Sequence, residues 1–469
     1  MNLVQTLSDN QIEQIQQATE DLLETVGFRV QHAELLEDCR KAGASVDDTS
    51  GLVRLPRTLL RELLGKLPSS YEVSGVTGRQ WKVGDGGSYS LAIVTDPWII
   101  DYETQQPRRP RLDDLRRHTI LAQKLEHVGA ISRMDFPVTD VPEPTSSLRA
   151  LEEHLLLHDK HYHVYVASWE SYLQWLKIGK ILAGDRELKG SNLFSVAVAI
   201  VSPLMISELN VKLMKSACDH GFTVIPTICP MAGSTSAYTL ASTLLQGNAE
   251  NVFLAALTQI YKPGNPFLYT CGPSITQLNT GHDMYYTLDK VLWKLASVQL
   301  AQSYHLPVAA ECGGTMTWRY DQQNGAEGML FMLAACAGNP NVLAGIGSCY
   351  NAMGMSAEMM VIQDGWMKAS KHLQKGIRID TEHLGIENIK EAGPGGNFLT
   401  DDLTLKYMRG GEFFNHEIFD FSGSENGTSL LERAHQKVEA LVTDYQSPVP
   451  EKIQENLKRF FYDEYVKMK

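Results

Sequence analysis

Residues 222–274 read FTVIPTICPMAGSTSAYTLASTLLQGNAENVFLAALTQIYKPGNPFLYTCGPS. Two apolar runs rich in β-branched and aromatic residues, FTVIPTICP and NPFLYTCGPS, flank AYTLASTLLQGNAENVFLAALTQIY, which has the length of a helix. Strands joined through a helix lie parallel, because a parallel crossover needs a dozen or more residues. One such unit defines a local topology, and its repetition defines a fold.

The rhythm extends in both directions. Apolar runs recur upstream at GAISRMDF, HYHVYVAS and LFSVAVAIVSP, and downstream at LPVAAECGG, NVLAGIGSC and, weakly, KGIRID. Helix-length segments such as SYLQWLKIGKILAG, MISELNVKLMKSACDHG and YTLDKVLWKLASVQLAQSYH lie between them. Eight such units predict an α/β fold, a (β/α)8 TIM barrel. The rival is an open doubly wound sheet, which normally carries a glycine fingerprint for phosphate after its first strand; RMDFPVTD is not one.

Both ends read as additions to the barrel. Residues 1–115 predict a helical and β-hairpin cap: Ser8 and Gln11 form a capping box, Ile12, Ile15, Leu22 and Val26 share one helical face, and residues 71–107 break into short alternating runs. The barrel proper is expected over 116–390 and a C-terminal helical extension over 391–469, where Ser429 and Glu432 cap one helix and Pro450 opens another. These last helices are expected to pack on the barrel or on a neighbouring copy in a homo-oligomer.

Composition narrows the partners. With 42 Lys and Arg against 55 Asp and Glu, the formal net charge of -13 repels phosphate backbones and anionic lipid, so nucleic acid and membrane surfaces are poor partners. Seven cysteines without a CxxC pair suit a reducing cytoplasm better than a disulfide framework or a zinc knuckle. MNLVQTLSDNQIEQ carries no secretory pattern, and the longest apolar stretch, LFSVAVAIVSPLMI, is short of the roughly 20 residues a membrane span needs.

In a barrel, chemistry sits at the carboxyl ends of the strands. That rule selects Asp135 and Phe136, Trp169 and Glu170, Ser202, Met231, Gly272 to Ser274, Gly313 to Asp321, and Cys349 to Asn351. Within GGTMTWRYD, Gly313 and Gly314 turn the chain and project Thr317, Trp318, Arg319 and Tyr320 over the mouth. Phe136, Trp169, Trp318 and Tyr350 then supply several aromatic faces, an arrangement that attracts a quaternary ammonium. Glu311, on its strand, is either a base or a hydrogen-bonded structural acid. His161 and His163 open their strand and read as structural; His154 and His158 lack the glutamate of a zinc-protease helix. There is no GxSxG, and GPGG at 393–396 reads as a turn. No metal site is expected.

The segment from PMAGSTSAYTLASTLLQGNAE through KPGNPFLY resembles the trimethylamine methyltransferase superfamily, as does GPGGNFLT with the following LKYMR. The resemblance covers nearly the whole chain. It implies a barrel enzyme that moves a methyl group from a methylated amine to the cobalt of a corrinoid, cob(I)alamin, held on a separate cognate corrinoid protein. Trimethylamine enzymes of that superfamily carry a pyrrolysine in the loop after the sixth strand, whereas GGTMTWRYDQ holds only standard residues, with Trp318 or Arg319 at the special position. The resemblance therefore points to the nonpyrrolysine branch and to small quaternary amines, glycine betaine or proline betaine.

For such a substrate, Arg319, His282 and Asn351 are expected to hold the carboxylate, Arg319 as a bidentate fork. Gly313, Gly314 and Met231 are expected where the corrinoid approaches. A metal-dependent barrel hydrolase and a noncatalytic betaine-binding protein are the competing expectations.

Overall fold

The computed structural model describes residues 5–134, 136–421, 423 and 427–468. Its centre is a curled, all-parallel sheet of seven strands in the spatial order Thr223–Thr227, Phe194–Ala199, His161–Val164, Val128–Arg133, Tyr89–Ile93, Val342–Ile346 and Ala309–Glu311. The strands are buried on both faces, which is why they appear in the sequence as continuous apolar runs.

The two edge strands both bond to residues 266–269. Val224 bridges Phe267 and Tyr269 bridges Val308, each in parallel. The N–H of Leu268 donates to the Val224 carbonyl at 3.1 Å, that of Tyr269 to Pro307 at 2.8 Å, and that of Ala309 back to Tyr269 at 2.9 Å. The run NPFLYTCGPS thus contributes bridges and not the regular strand expected there; Pro266, which has no N–H, opens it.

A second expectation fails outright. KGIRID, at 375–380, is an irregular exposed segment after the helix Ala357–Gln374, with Ile377 88% and Ile379 70% exposed. Its alternating isoleucines imitate a strand, but among the described residues no strand pairs with it. The place beside Val342–Ile346 belongs to Tyr89–Ile93, from the stretch expected to be cap. The Gly-rich turn just before that strand, GDGG, made it read as one arm of a hairpin.

Other parts of the 1–115 stretch do cover the sheet. The hairpin Tyr71–Ser74 with Gln80–Val83 packs Tyr71, Val73 and Val83 against Leu91, Ala130, Ile225 and Val342 inside the curl. His161 Nδ1 meets the Ser74 carbonyl at 3.3 Å, so this hairpin closes the end where the strands begin. The helix Asp9–Thr25 has the expected capping box. Together with Ala33–Lys41 and Arg57–Leu64 it covers the helix Leu240–Tyr261, and Thr19 Oγ1 accepts from Asn248 at 2.8 Å. That cover explains why Leu240–Tyr261 has no single apolar face: it is buried between two layers, its polar Asn248, Glu250 and Asn251 included.

At the C-terminus, Ser429 caps Leu430–Val442, which packs on Leu112–Lys124 and Ala357–Gln374; Glu451–Lys467 packs on Ser146–Leu156 and Trp169–Ala183. Among the described residues no helix is long and apolar enough to cross a membrane.

Candidate functional site

Within the curl of the strands, and reaching past their carboxyl ends, lies a cavity of about 290 Å³. Ile93, Ile225, Ala310, Ala344 and Ile346 line it with apolar surface, and Asp96, Tyr165, Cys229, Tyr285, Tyr286 and Glu311 add the groups that carry chemistry.

Asp96 follows the strand Tyr89–Ile93 by three residues. The preceding residue is tied down: Thr95 Oγ1 donates to the Met134 carbonyl at 3.0 Å and accepts the Met134 N–H at 3.1 Å, which locks this turn to the next strand. Asp96 opens onto the cavity and makes no hydrogen bond or ion pair among the described residues. Asp96 is half-buried, and the partial loss of solvent there pushes its carboxyl up to about 8.

Glu311 ends its strand on another wall. It accepts from the Tyr285 hydroxyl, and Lys290 Nζ stands 3.2 Å from its other oxygen. Lys290, at the start of the helix Lys290–Ser303, is buried and also lies 2.9 Å from the centroid of the Tyr285 ring. Burial lowers the Lys290 pKa, and Glu311 opposes that shift. Tyr285 is pushed well up, first by burial and then by the Glu311 charge, so it remains a donor. A β-carbon on Gly272 would stand 2.5 Å from the Tyr285 hydroxyl, so only glycine leaves this arrangement room.

Tyr286 sits beside it, the two rings 5.0 Å apart and nearly perpendicular. Its ring fills the space over Gly314, where an added β-carbon would come within 2.0 Å of Tyr286 Cζ. Asn351 then fastens the tyrosine loop: its Oδ1 accepts the backbone N–H of Tyr285 at 2.6 Å and of Tyr286 at 3.3 Å, and its Nδ2 donates to the Asp283 carbonyl at 2.6 Å. On the floor, burial keeps His163 neutral, and its Nε2 meets the Tyr89 hydroxyl at 2.9 Å. Cys229 exposes its thiol to the cavity, where reduced solvation pushes it up to about 11 and makes it a poor nucleophile.

Of the residues expected from sequence, Glu311 and Gly272 line this cavity. Trp318 and Tyr350 do meet, edge to face at 4.7 Å, but they form a separate cluster with Trp98, over which Arg109 lies at 3.9 Å. Trp169 opens the helix Trp169–Ala183 and packs on Tyr172, and the half-buried Phe136 is not part of the cavity lining. Arg319 is exposed and paired with Asp321 at 2.9 Å; His282 is exposed in a turn. Asn351 acts through the tyrosine loop and not on the cavity itself.

Gly313 and Gly314 are buried packing positions, the first with a β-carbon position 1.9 Å from the Gly345 carbonyl. Met231 lies in the short strand Met231–Ala232 and donates its N–H to Thr235. Asp135 lies outside the described residues.

Asp96, Tyr165, Tyr285 and Tyr286 escaped the sequence reading. For Asp96 a signal existed: the strand-end rule selects it once Tyr89–Ile93 is counted as a barrel strand. The two adjacent tyrosines reach the cavity from a long loop, and nothing local marks their direction. Among the described residues, no three His, Cys, Asp or Glu side chains gather as metal donors.

The profile of the trimethylamine methyltransferase (MTTB) family matches residues 1–467. A trimethylamine methyltransferase MttB of Desulfitobacterium hafniense is 25% identical over 459 residues, covering 96% of this chain and 92% of its own. A glycine betaine methyltransferase of the same species is 25% identical over 449 residues, covering 94% and 93%. The crystal structure of the Methanosarcina barkeri monomethylamine methyltransferase superposes with a TM-score of 0.52 at 11% identity over 97% of this chain and 88% of that one, a likeness of fold.

Proposed function

This chain belongs to the trimethylamine methyltransferase family, and we propose that it takes a methyl group from a small quaternary amine held in the cavity and passes it to Co(I) of a corrinoid carried by a cognate protein. The observation that carries this reading is the cavity lining: tyrosine rings and two carboxyl groups with no Lys or Arg among them. Such a wall favours a cation and disfavours an anion. The hydrogen bonds that join residues 266–269 to both edge strands support a closed (β/α)8 barrel, with the cavity at its carboxyl mouth.

The chemistry asks little of acid–base groups. The C–N bond breaks with its electron pair going to nitrogen, which leaves a neutral tertiary amine, while Co(I) supplies the pair for the new bond to carbon. No proton has to be delivered. The chain has to hold the cation, aim one methyl group at the mouth, and keep water out. Tyr285 and Tyr286 supply the faces, Asn351 and the glycines hold them in place, and Asp96 supplies charge.

The sequence expectation of glycine betaine or proline betaine falls within this class, and the similarity to a glycine betaine methyltransferase supports a quaternary amine. The test is incubation with purified corrinoid protein reduced to Co(I) and a panel of methylated amines. The expected result is a methyl-cobalt spectrum with at least one of them. Binding without any transfer would favour a noncatalytic binding protein, and loss of activity on chelation would favour a hydrolase.

A further inference from the structure

The geometry points to Asp96 as the counter-ion of the substrate's ammonium, and to a substrate that is a small quaternary ammonium without a carboxylate. This rests on the reading of the cavity as the methyl-donor site and narrows it.

Two carboxyl groups line the cavity, and they differ in what already satisfies them. Glu311 has the Tyr285 hydroxyl on one oxygen and Lys290 at 3.2 Å from the other. Its charge is balanced before any ligand arrives. Asp96 has no hydrogen bond or ion pair among the described residues, and the groups that sense it are Tyr286 and Cys349, neither of them cationic. A carboxylate withdrawn from bulk water is costly unless it is paired. The partner missing from this wall is a positive charge, and a permanently charged nitrogen supplies it without giving up a proton.

The same inventory argues against a betaine. Its carboxylate would enter a space of about 290 Å³ that holds two acidic groups and no lining Lys or Arg. Lys290 is buried against the face of Tyr285 and committed to Glu311; Arg319, the fork expected for that carboxylate, is exposed and bound to Asp321. An anionic arm would lie unpaired beside like charges. A neutral alkyl or hydroxyalkyl arm meets apolar lining from Ile93, Ile225 and Ile346 and hydroxyls from Tyr285 and Tyr286.

Calorimetric titration of the full-length protein with tetramethylammonium, choline and glycine betaine at pH 8.5 tests the inference, alongside methyl transfer from each to the reduced corrinoid protein. One of the carboxylate-free cations is expected to bind at least tenfold more tightly than glycine betaine. Asp96→Asn is expected to weaken that cation tenfold or more while changing glycine betaine less than threefold, with Asp96→Ser as a second variant should the first fail to fold. If glycine betaine binds more tightly and donates its methyl group, the inference is overturned and the methyltransferase reading stands. If none of these compounds or the wider amine panel binds or donates, the reading of the cavity falls, and the inference with it.

Discussion

The Asn351 side chain accepts the backbone N–H of Tyr285 at 2.6 Å, so the loop after one barrel strand holds in place a tyrosine that faces the cavity from another. Asn351 does this with a left-handed backbone, at φ 55°, between two further residues of positive φ, Tyr350 and Ala352. Three successive non-glycine residues in that region are costly, and the hydrogen bonds to Tyr285, Tyr286 and Asp283 offset the cost. Asn351→Ala should therefore destabilise the protein by about 1–3 kcal/mol, the penalty for buried backbone groups left unsatisfied. It should also raise the KM for the methyl donor. Denaturant unfolding and steady-state kinetics read the two effects; an unchanged KM would mean that the tyrosine loop is held by something else.

Glu311→Gln should be more damaging to the fold than a surface charge change. It leaves the buried Lys290 ammonium without its counter-charge, a loss of about 3 kcal/mol for a broken buried pair. The double variant Glu311→Gln with Lys290→Met should recover most of that stability, because no unpaired charge remains. Unfolding midpoints of the two variants decide the matter: a double variant no more stable than the single would show that the pair is not the source.

Gly314→Ala should displace Tyr286. The backbone there has φ +117°, and the added methyl group would stand 2.0 Å from Tyr286 Cζ. Strain of about 1–3 kcal/mol from the backbone adds to overpacking of similar size. A fall in melting temperature together with weaker binding of the methyl donor is expected, and a variant with native stability would contradict the packing described.

Removing aromatic groups distinguishes the cavity from the neighbouring tryptophan cluster. Tyr286→Leu should weaken cation binding by about tenfold, between the values for an exposed and a fully desolvated cation–π contact. Trp318→Leu, which alters the cluster with Tyr350 and Trp98, should change it less than threefold. Calorimetry with the methyl donor measures both, and the reverse ranking would restore the box of Phe136, Trp169, Trp318 and Tyr350 expected from sequence.

Asp96 makes the site pH-dependent. Its carboxyl titrates near 3.8 when exposed and near 8 in the folded protein, so between these values the native state keeps a proton that the unfolded chain has released. Stability conferred by the neutral form is complete below about 4 and is lost as pH rises toward 8. Binding of a quaternary cation runs the other way, tightening about tenfold from pH 6.5 to 7.5 because the cation requires the ionised carboxylate. Asp96→Asn should flatten both profiles, and a wild-type affinity independent of pH over this interval would refute the assignment.

Much of the fold was legible because it is written in short-range pattern. Continuous apolar runs marked His161–Val164, Phe194–Ala199 and Thr223–Thr227, and Ser8, Ser429 and Pro450 marked helix starts, since caps and periodicity act within a few residues. The misreadings of KGIRID and of Tyr89–Ile93 have one cause. A strand belongs to a sheet by virtue of its neighbours, and one of those neighbours, Val342–Ile346, lies at the far end of the barrel sequence from Tyr89–Ile93.

The sequence by itself determined the parallel βα architecture, the family and the class of chemistry, because these rest on local periodicity and on the segment 230–269. Only the tertiary structure decided which side chains face the cavity. That choice brings Asp96, Tyr285, Tyr286 and Glu311 together and leaves Trp318, Arg319 and Trp169 outside. The physical reason is directional: a side chain's target is set by the twist of its strand and by loops clamped from elsewhere, as Asn351 clamps Tyr285, and no stretch of adjacent residues encodes that convergence.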